Sequence, residues 1–586
     1  NRAVTKKRCL LILKGCFLVK NTKKRDIFIG DYNLAEATAI YQSSYFSKKG
    51  NVKMNYVSFK NAAVIKDILE KKPQYRECLF SRGYLITKDE NISLSDYPFY
   101  SLWNSEKVCG FDVIVHKDQD YTVYSEKEEK LVLIGHAYNP FNGVYDEKEL
   151  LKQAAEAYEK SRDEFFECIN DWTGIFVVFV FDGDRVIGVQ DCSGIKALYY
   201  GNIEGKVCFT SHPQLVADIY SLKMDPFVKK LVTNRFYNIG NRYLPGDLSP
   251  FSELKRIGAN VYLEYFADNF EIKRFYPVKP LELCKTQEEY ELGIKKAYEI
   301  LHKNIELASE KWESCAISLS GGTDSKTTLA CANGLYDRFQ FFSFQSKDTE
   351  ITDSEAAHAI CEKLGLKHNV YPIPTENSEI EDFDELKAII IHSYGYVRGL
   401  ADNEIRKHIC MYRWHYFDTE IKSWISEIVR VFFERKYGMK FPDRLTPRHF
   451  SILQTRYFAS PSLLRKSDKI YGEYMKKFDL EEPKFNFEHT DLYYWEVRMS
   501  SWGMMVTQSL DLCHRITFPF NNRRLVELML TLPREYRKSD KAHQDIIKYA
   551  NKEIYDADIH ILNNYFHSGR IMLEKIYFKY RTFLKK

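Results

Sequence analysis

The segment Cys315-Ala316-Ile317-Ser318-Leu319-Ser320-Gly321-Gly322-Thr323-Asp324-Ser325-Lys326-Thr327-Thr328-Leu329-Ala330 constrains the fold of this chain more than any other. Ala316 to Leu319 has the length of a buried strand, Ser320 to Ser325 is a small-residue turn, and a helical pattern begins at Lys326. Such a turn aims backbone N–H groups and hydroxyls at one point beside a helix N-terminus, which makes an anion cradle. Gly321 and Gly322 let the backbone approach a phosphate group, and Ser320, Thr323 and Ser325 add hydroxyl donors. Asp324 repels a bound phosphate unless a cation lies between them, so the pattern predicts Mg2+ with Asp324 as a ligand. The bland alternative is a Ser/Gly/Asp turn with no ligand. The spacing fits neither the Walker A pattern nor the dinucleotide fingerprint.

After this unit, Phe339 to Phe344 reads as a second buried strand and Asp353 to Leu364 as its helix. Strand, loop, helix, strand, helix predicts a doubly wound parallel layer with its ligand at the strands' C-terminal ends. Asp353 and Glu355 are read as partners of a helix dipole. With 586 residues the chain needs more than one core. Its 45% hydrophobic and 28% charged residues describe an ordinary globular protein. A net charge of +4 does not supply a surface for nucleic acid. Thirteen cysteines without a Cys-x-x-Cys spacing predict reduced thiols and a cytoplasmic location rather than a disulfide framework or zinc site.

The opening Lys6-Lys7-Arg8 and the apolar run from Cys9 to Val19 superficially resemble a leader, but Lys14 interrupts the run, and a strand or hairpin is expected instead. The chain begins at Asn1 rather than Met, which leaves its true start open. No stretch is predicted to span a bilayer. From Cys9 to about Tyr276 short alternating strands dominate, with helices near Val64–Glu70 and Asp146–Lys160, so an α+β layered domain is expected. Its clearest strands are Leu131 to Asn139 and Asp171 to Asp182, the second turning at Asp182-Gly183-Asp184 into Val186 to Gln190.

Several of these segments carry a family resemblance. Ser320 to Ser325 resembles the pyrophosphate loop of the ATP pyrophosphatases, which split ATP between the α and β phosphates. The strand Thr173 to Asp182, its hairpin, Asp191-Cys192-Ser193-Gly194-Ile195-Lys196-Ala197-Leu198-Tyr199-Tyr200 and Phe209 to Gln214 resemble the glutaminase domain of asparagine synthetases. Ile516-Thr517-Phe518-Pro519-Phe520-Asn521-Asn522-Arg523-Arg524-Leu525-Val526-Glu527-Leu528 is similar to a helical segment of the same family. The resemblance implies an α+β N-terminal-nucleophile-like sandwich over residues 1–280. An α/β adenine-nucleotide α-hydrolase (PP-loop) synthetase domain with a helical C-terminal part would follow over 281–586.

The glutaminase chemistry is not expected to carry over. That class uses a cysteine whose own α-amine is the general base, whereas Cys9 and Cys16 are internal, and Cys109-Gly110-Phe111 resembles a buried copy of the starting residues. The family's Asn-Gly pair, which holds the oxyanion, matches Ile134-Gly135, and isoleucine cannot donate that bond. Similar losses in β-lactam synthetases and lasso-peptide cyclases imply ammonia or a substrate amine as nucleophile.

In the second half the resemblance places adenine against Leu319, Ser343 and Phe344. Trp424 to Arg430 is similar to the family's second signature, with Glu427 at the position of a metal-binding aspartate and Trp424 at a Glu or Tyr position. Arg430, with its planar fork, is a candidate for a substrate carboxylate or phosphate. The family's charge-neutralising lysine aligns with Gln544, so Lys541 is the replacement candidate, with His543 beside it. The basic pattern from Ser568 to Lys586 predicts a final amphipathic helix, with partner or membrane-surface binding as alternatives.

The resulting expectation is an AMP-forming amide ligase that binds ATP and Mg2+, adenylates a small-molecule or peptide carboxylate and passes it to an amine without glutamine hydrolysis, with a homodimer possible. A natural-product or glycan acid would suit it. The rivals are a glutamine-dependent asparagine synthetase with an unseen cysteine, a tRNA modifier sharing the loop, and a non-catalytic nucleotide binder.

Overall fold

The computed structural model describes residues 9–13, 16–20, 27–30, 62–126, 128–234, 243–395, 400–455, 461–557, 559 and 566–583. Lys6 to Arg8, Lys14 and Leu584 to Lys586 of the segments discussed above lie outside them. Cys9–Leu13 and Cys16–Lys20 pair antiparallel, and Ile27–Gly30 adds a third strand, as the hairpin reading expects.

The first unit is a sandwich of two six-stranded antiparallel sheets. One runs, in spatial order, Asn269–Arg274, Val261–Phe266, Arg185–Gln190, Thr173–Asp182, Lys130–Tyr138 and Tyr121–Tyr124. The other runs Leu254–Arg256, Tyr199–Ile203, Lys206–Thr210, Tyr84–Thr87, Phe111–His116 and Trp103–Val108. Within Thr173–Asp182, residues Ile175 to Phe181 form an unbroken apolar run because both faces of the strand are covered. Val177, Phe179 and Phe181 point between the sheets toward Val113, Val115 and Phe209. Their neighbours Val178 and Val180 join Leu150, Leu151 and Phe165 of the helices Glu147–Lys160 and Arg162–Asn170.

Cys109 corrects one expectation. It is exposed, with φ 47°, in the two-residue turn between Trp103–Val108 and Phe111–His116, so it is not a buried copy of a nucleophile.

The second unit is built on a five-stranded, wholly parallel sheet. Its strands are β1 (Cys315–Ser318), β2 (Phe339–Gln345), β3 (His368–Pro372), β4 (Thr419–Ile421) and β5 (Arg515–Thr517), in the order β3-β2-β1-β4-β5. Four helices matter to the site: α1 (Gln287–Lys311), α2 (Thr323–Cys331), α3 (Asp348–Lys363) and α4 (Lys541–Ala550). A capping box between Thr286 and Glu289 starts α1. The helix α3 begins at Asp348, so Asp353 and Glu355 lie in its second turn and are not the first-turn dipole partners expected. Because the strand order reverses at β1, the crevice between the ends of β1 and β4 is the topological switch point, where ligands bind in open α/β sheets.

Asn521 to Arg524 fastens the two units. Asn521 Nδ2 donates to Gly174 O (2.6 Å) and Asp191 Oδ1 (3.0 Å), and Asn522 Nδ2 donates to Asp171 O (2.8 Å). Arg523, 1% exposed, donates to Asn260 Oδ1 and to the carbonyls of Gln190 and Asp191, each at 3.1 Å. The Asp191 carboxylate also accepts from the backbone N–H groups of Ser193, Ile195 and Lys196. The family-like segment is therefore a polar clamp rather than simple packing. The final helix, Phe566–Phe583, packs Phe578 against Phe441 and His449 and pairs Glu574 with Lys436, as an amphipathic packing helix should. Among the described residues, no helix is long and apolar enough to cross a membrane.

Candidate functional site

The loop after β1 crosses the sheet's C-terminal edge and enters α2 with Gly322 as N-cap, where no side chain caps the helix. Its free N–H groups and partial positive charge thus face the crevice. Ser320 Oγ and Ser325 Oγ share a hydrogen bond of 2.9 Å across the turn, and Gly322 N–H donates to Ser320 Oγ at 3.3 Å. Beside the loop, burial and the nearby Glu350 charge push the Asp353 carboxyl up, and the Gly321 backbone N–H opposes that rise. The Gly322 N–H and the two serine hydroxyls are therefore held by exchangeable internal partners.

The other wall is the segment after β4. Ser423 Oγ accepts from Thr328 Oγ1 (2.6 Å), which ties this segment to α2. Trp424–Val429 forms a 3-10 turn and not an α-helix start; the helix Phe432–Tyr437 begins later. The turn brings Ser426 to Asp324, donating to Oδ1 at 2.5 Å. It also places Arg430, whose Nη1 donates to Asp324 Oδ1 (2.5 Å) and Glu427 Oε1 (2.9 Å). The other side of the fork, Nε and Nη2, grips Asp540 at 2.8 and 2.7 Å, and Arg435 Nη2 donates to the same carboxylate at 2.6 Å.

Three carboxylates thus meet two guanidinium groups. Burial pushes the Glu427 carboxyl above its ordinary range, with Asp324 adding to the rise and Arg430 opposing it. Burial acts the same way on Asp540, but the Arg430 and Arg435 contacts outweigh it and hold that carboxyl low. His543 is fully buried, stacked on Phe520, and neither of its ring nitrogens has a hydrogen-bond partner. Burial, then the Arg430 charge, lowers its pKa to about 4, so it is neutral at pH 7.

The predicted residues divide as follows. Ser320, Gly321, Gly322, Thr323, Asp324, Ser325, Glu427 and Arg430 come together. Leu319, Ser343 and Phe344 sit at the ends of β1 and β2, but Leu319 N–H is spent on Phe342 O (2.8 Å) and Ser343 Oγ donates to Leu319 O (2.7 Å). The Phe344 ring carries the amines of Lys407 at 4.1 Å and Lys422 at 5.7 Å from its centre. Arg430 was expected to meet substrate, yet four of its five N–H donors are spent on carboxylates of its own chain.

Lys541 is a correction. Its amine pairs with Asp545 and lies over the rings of Tyr290 (5.1 Å) and Tyr536 (4.6 Å), so in this arrangement its charge is spent on Asp545 and not on the loop. Trp424 packs its indole against Phe518 (5.0 Å) and Trp502 (5.4 Å). Ser426, Arg435 and Asp540 were missed. Only Arg435, two turns of sequence after Glu427, carried a hint, as a second cation near an acid.

Asp324 and Glu427 accept from one nitrogen atom, so a single cation bridges them, and that cation is the Arg430 guanidinium. Among the described residues, no group of three or more His, Cys, Asp or Glu side chains is arranged to hold a metal. The carboxylate pair has the chemistry of a Mg2+ site, but as arranged its seat is filled, and the residues do not fit the ion expected from the sequence.

A family model described as "Queuosine biosynthesis protein QueC" matches residues 314–387, which run from β1 through the loop, α2, β2, α3 and β3. No curated protein matches the chain. Two solved structures are similar at 11% and 12% identity, each with a TM-score of 0.21. They are described as the allosteric regulatory enzyme of purine biosynthesis and as glutamine phosphoribosylpyrophosphate amidotransferase from B. subtilis complexed with ADP and GMP. The matches cover 52% and 53% of this chain and 62% and 63% of theirs, less than two thirds of either relative. Residues 314–387 are thus similar to the QueC family within an α/β domain built on a parallel five-stranded sheet, and that domain is joined to a sandwich of two six-stranded antiparallel sheets.

Proposed function

We propose that the chain is an ATP-dependent, AMP- and pyrophosphate-forming ligase of the asparagine synthetase kind, whose sandwich, over about residues 1–280, no longer hydrolyses glutamine. The observation that carries this reading is the Ser320–Ser325 loop, which joins β1 to an uncapped helix N-terminus at the sheet's switch point. A triphosphate replaces the internal acceptor there, exchanging Ser320 Oγ at the Gly322 N–H for a phosphate oxygen. A substrate carboxylate oxygen then attacks the α-phosphorus; the bond to the bridging oxygen breaks, and pyrophosphate leaves held by the loop. An amine attacks the acyl carbon of the mixed anhydride, AMP departs, and the amine's proton passes to solvent.

The sandwich supports this reading by what stands in it. Cys109 is an exposed turn residue, and Ile134 occupies the strand position where an oxyanion donor is required. The second reading, a nucleotide binder without turnover, is favoured by one observation: the Lys541 amine is paired with Asp545, which occupies the cation assigned to the departing charge. Exchange of labelled pyrophosphate into ATP across a panel of carboxylic acids tests both. Acid-dependent exchange supports the ligase. Nucleotide binding without exchange for any acid supports the binder, and production of glutamate from glutamine would restore a glutamine-dependent enzyme.

A further inference from the structure

We propose that Arg430 is the resident cation of the phosphate cradle and takes at Asp324 and Glu427 the place of a divalent ion, so that the loop binds phosphate without a metal coordinated by this chain. The inference rests on the reading that the loop takes phosphate.

Four observations on separate atoms support it. The bridging position between the two carboxylates belongs to one guanidinium nitrogen, at 2.5 and 2.9 Å. The opposite edge of the fork is locked by two parallel bonds to Asp540, the geometry that fixes a guanidinium plane. The side chain is 6% exposed, so neither edge is a loose surface contact. Val431, the next residue, adopts φ 50° and ψ 46°, a left-handed conformation that a β-branched residue avoids. Strain of that kind persists where the surroundings demand it, and here it lies directly after the arginine that the three carboxylates hold, at the N-cap of the helix Phe432–Tyr437.

The electrostatics agree. A lone Asp324 under a phosphate would need a cation brought in by the ligand. With Arg430 bonded to it and Arg435 behind Asp540, most of that charge is already neutralised within the chain. A guanidinium, unlike a metal, stays in place whatever the ion content of the solution.

The test uses the full chain and inorganic pyrophosphate. By calorimetry, the wild type is expected to bind pyrophosphate in EDTA within about threefold of its affinity in Mg2+, a difference below about 0.7 kcal/mol. Arg430→Met is expected to lose at least about tenfold in EDTA and to recover part of it with Mg2+, as the vacated seat takes the ion. A wild type that loses tenfold or more in EDTA overturns the proposal. A second measurement needs no phosphate: Mn2+ binding followed by electron paramagnetic resonance on the wild type and on Asp324→Asn. Equal, weak binding by both supports the resident arginine, and tighter binding by the wild type that Asp324→Asn abolishes overturns it. If pyrophosphate binds under neither condition, the ligase reading fails, and the Mn2+ comparison still decides the role of Arg430, even should Arg430→Met not fold.

Discussion

Gly322→Ala separates the stability of the loop from its use. Gly322 has φ −74° and ψ 154°, a conformation any L residue adopts. A Cβ built there meets one atom within 4 Å, Ser320 Oγ at 3.3 Å, a tight contact that the serine hydroxyl must relieve by shifting a few tenths of an ångström. Replacing glycine by alanine at an N-cap costs up to about 1 kcal/mol. Reduced freedom of the unfolded chain returns about 0.4–1 kcal/mol. The net change in unfolding free energy is therefore expected within about 0.5 kcal/mol, or roughly 1–2 °C in Tm for a domain of this size.

A phosphate resting against that backbone is displaced by the methyl group and loses one or two charge-assisted hydrogen bonds, each contributing about 1.5–3 kcal/mol. At 1.4 kcal/mol per decade, pyrophosphate or ATP should bind at least about tenfold more weakly. Thermal unfolding and calorimetric titration of one preparation measure both quantities. Unchanged affinity in a folded variant would show that phosphate does not sit in the loop. A stability loss above about 2 kcal/mol would refute the claim that the Ser320 hydroxyl can give way to the methyl group.

Three further outcomes follow from other sites. His489 is 1% exposed, and its Nδ1 accepts from Leu445 N–H at 3.0 Å, so it must stay neutral; burial lowers its pKa to about 4. The native chain binds fewer protons there than the unfolded chain between pH 6.5 and 4, so this stability is present above pH 6.5 and lost as pH falls. His489→Asn, which keeps an acceptor, should narrow the stability difference between pH 7 and pH 5 by about 2 kcal/mol, and urea titrations at both pH values that run parallel to the wild type would count against it. Arg523→Met leaves three buried acceptors without their donor and should cost roughly 3 kcal/mol or more, read from the urea midpoint, with a loss below about 1 kcal/mol arguing against the clamp. Lys541→Ala should change stability by less than about 0.5 kcal/mol, because its ion pair is partly exposed, and should leave pyrophosphate exchange unaltered.

The phosphate loop was legible because its strand, turn and helix start are consecutive in the chain, so local propensity and position carry the same message. The neighbouring parallel strand and the alternating strands of the sandwich were legible for the same reason. The Arg430 network was not, since Asp324, Glu427 and Asp540 are about a hundred residues apart in sequence and only the sheet order brings them together. Lys541 was misassigned through helix phase. Lys541 and Asp545 share one face of α4, while His543, two residues on and thus about 200° round the helix, faces inward with Ile546 and Ile547. Alignment on the apolar pair gave the right helix but not the side its lysine faces. Arg430 was recognised as important and given the wrong partner, because a residue type shows what a fork can grip and not which acid arrives first.

The Asn521–Arg524 clamp has a consequence for dissection of the chain. Severed near residue 280, the C-terminal piece would present a bare guanidinium and two amides that have evolved no solvent-facing conformation, beside the apolar faces of Phe518 and Phe520. Such a fragment would be expected to precipitate or to recruit the missing piece when the two are expressed together. On that expectation the sandwich is a required cover for the Asn521–Arg524 face of its neighbour, whatever chemistry it does or does not perform.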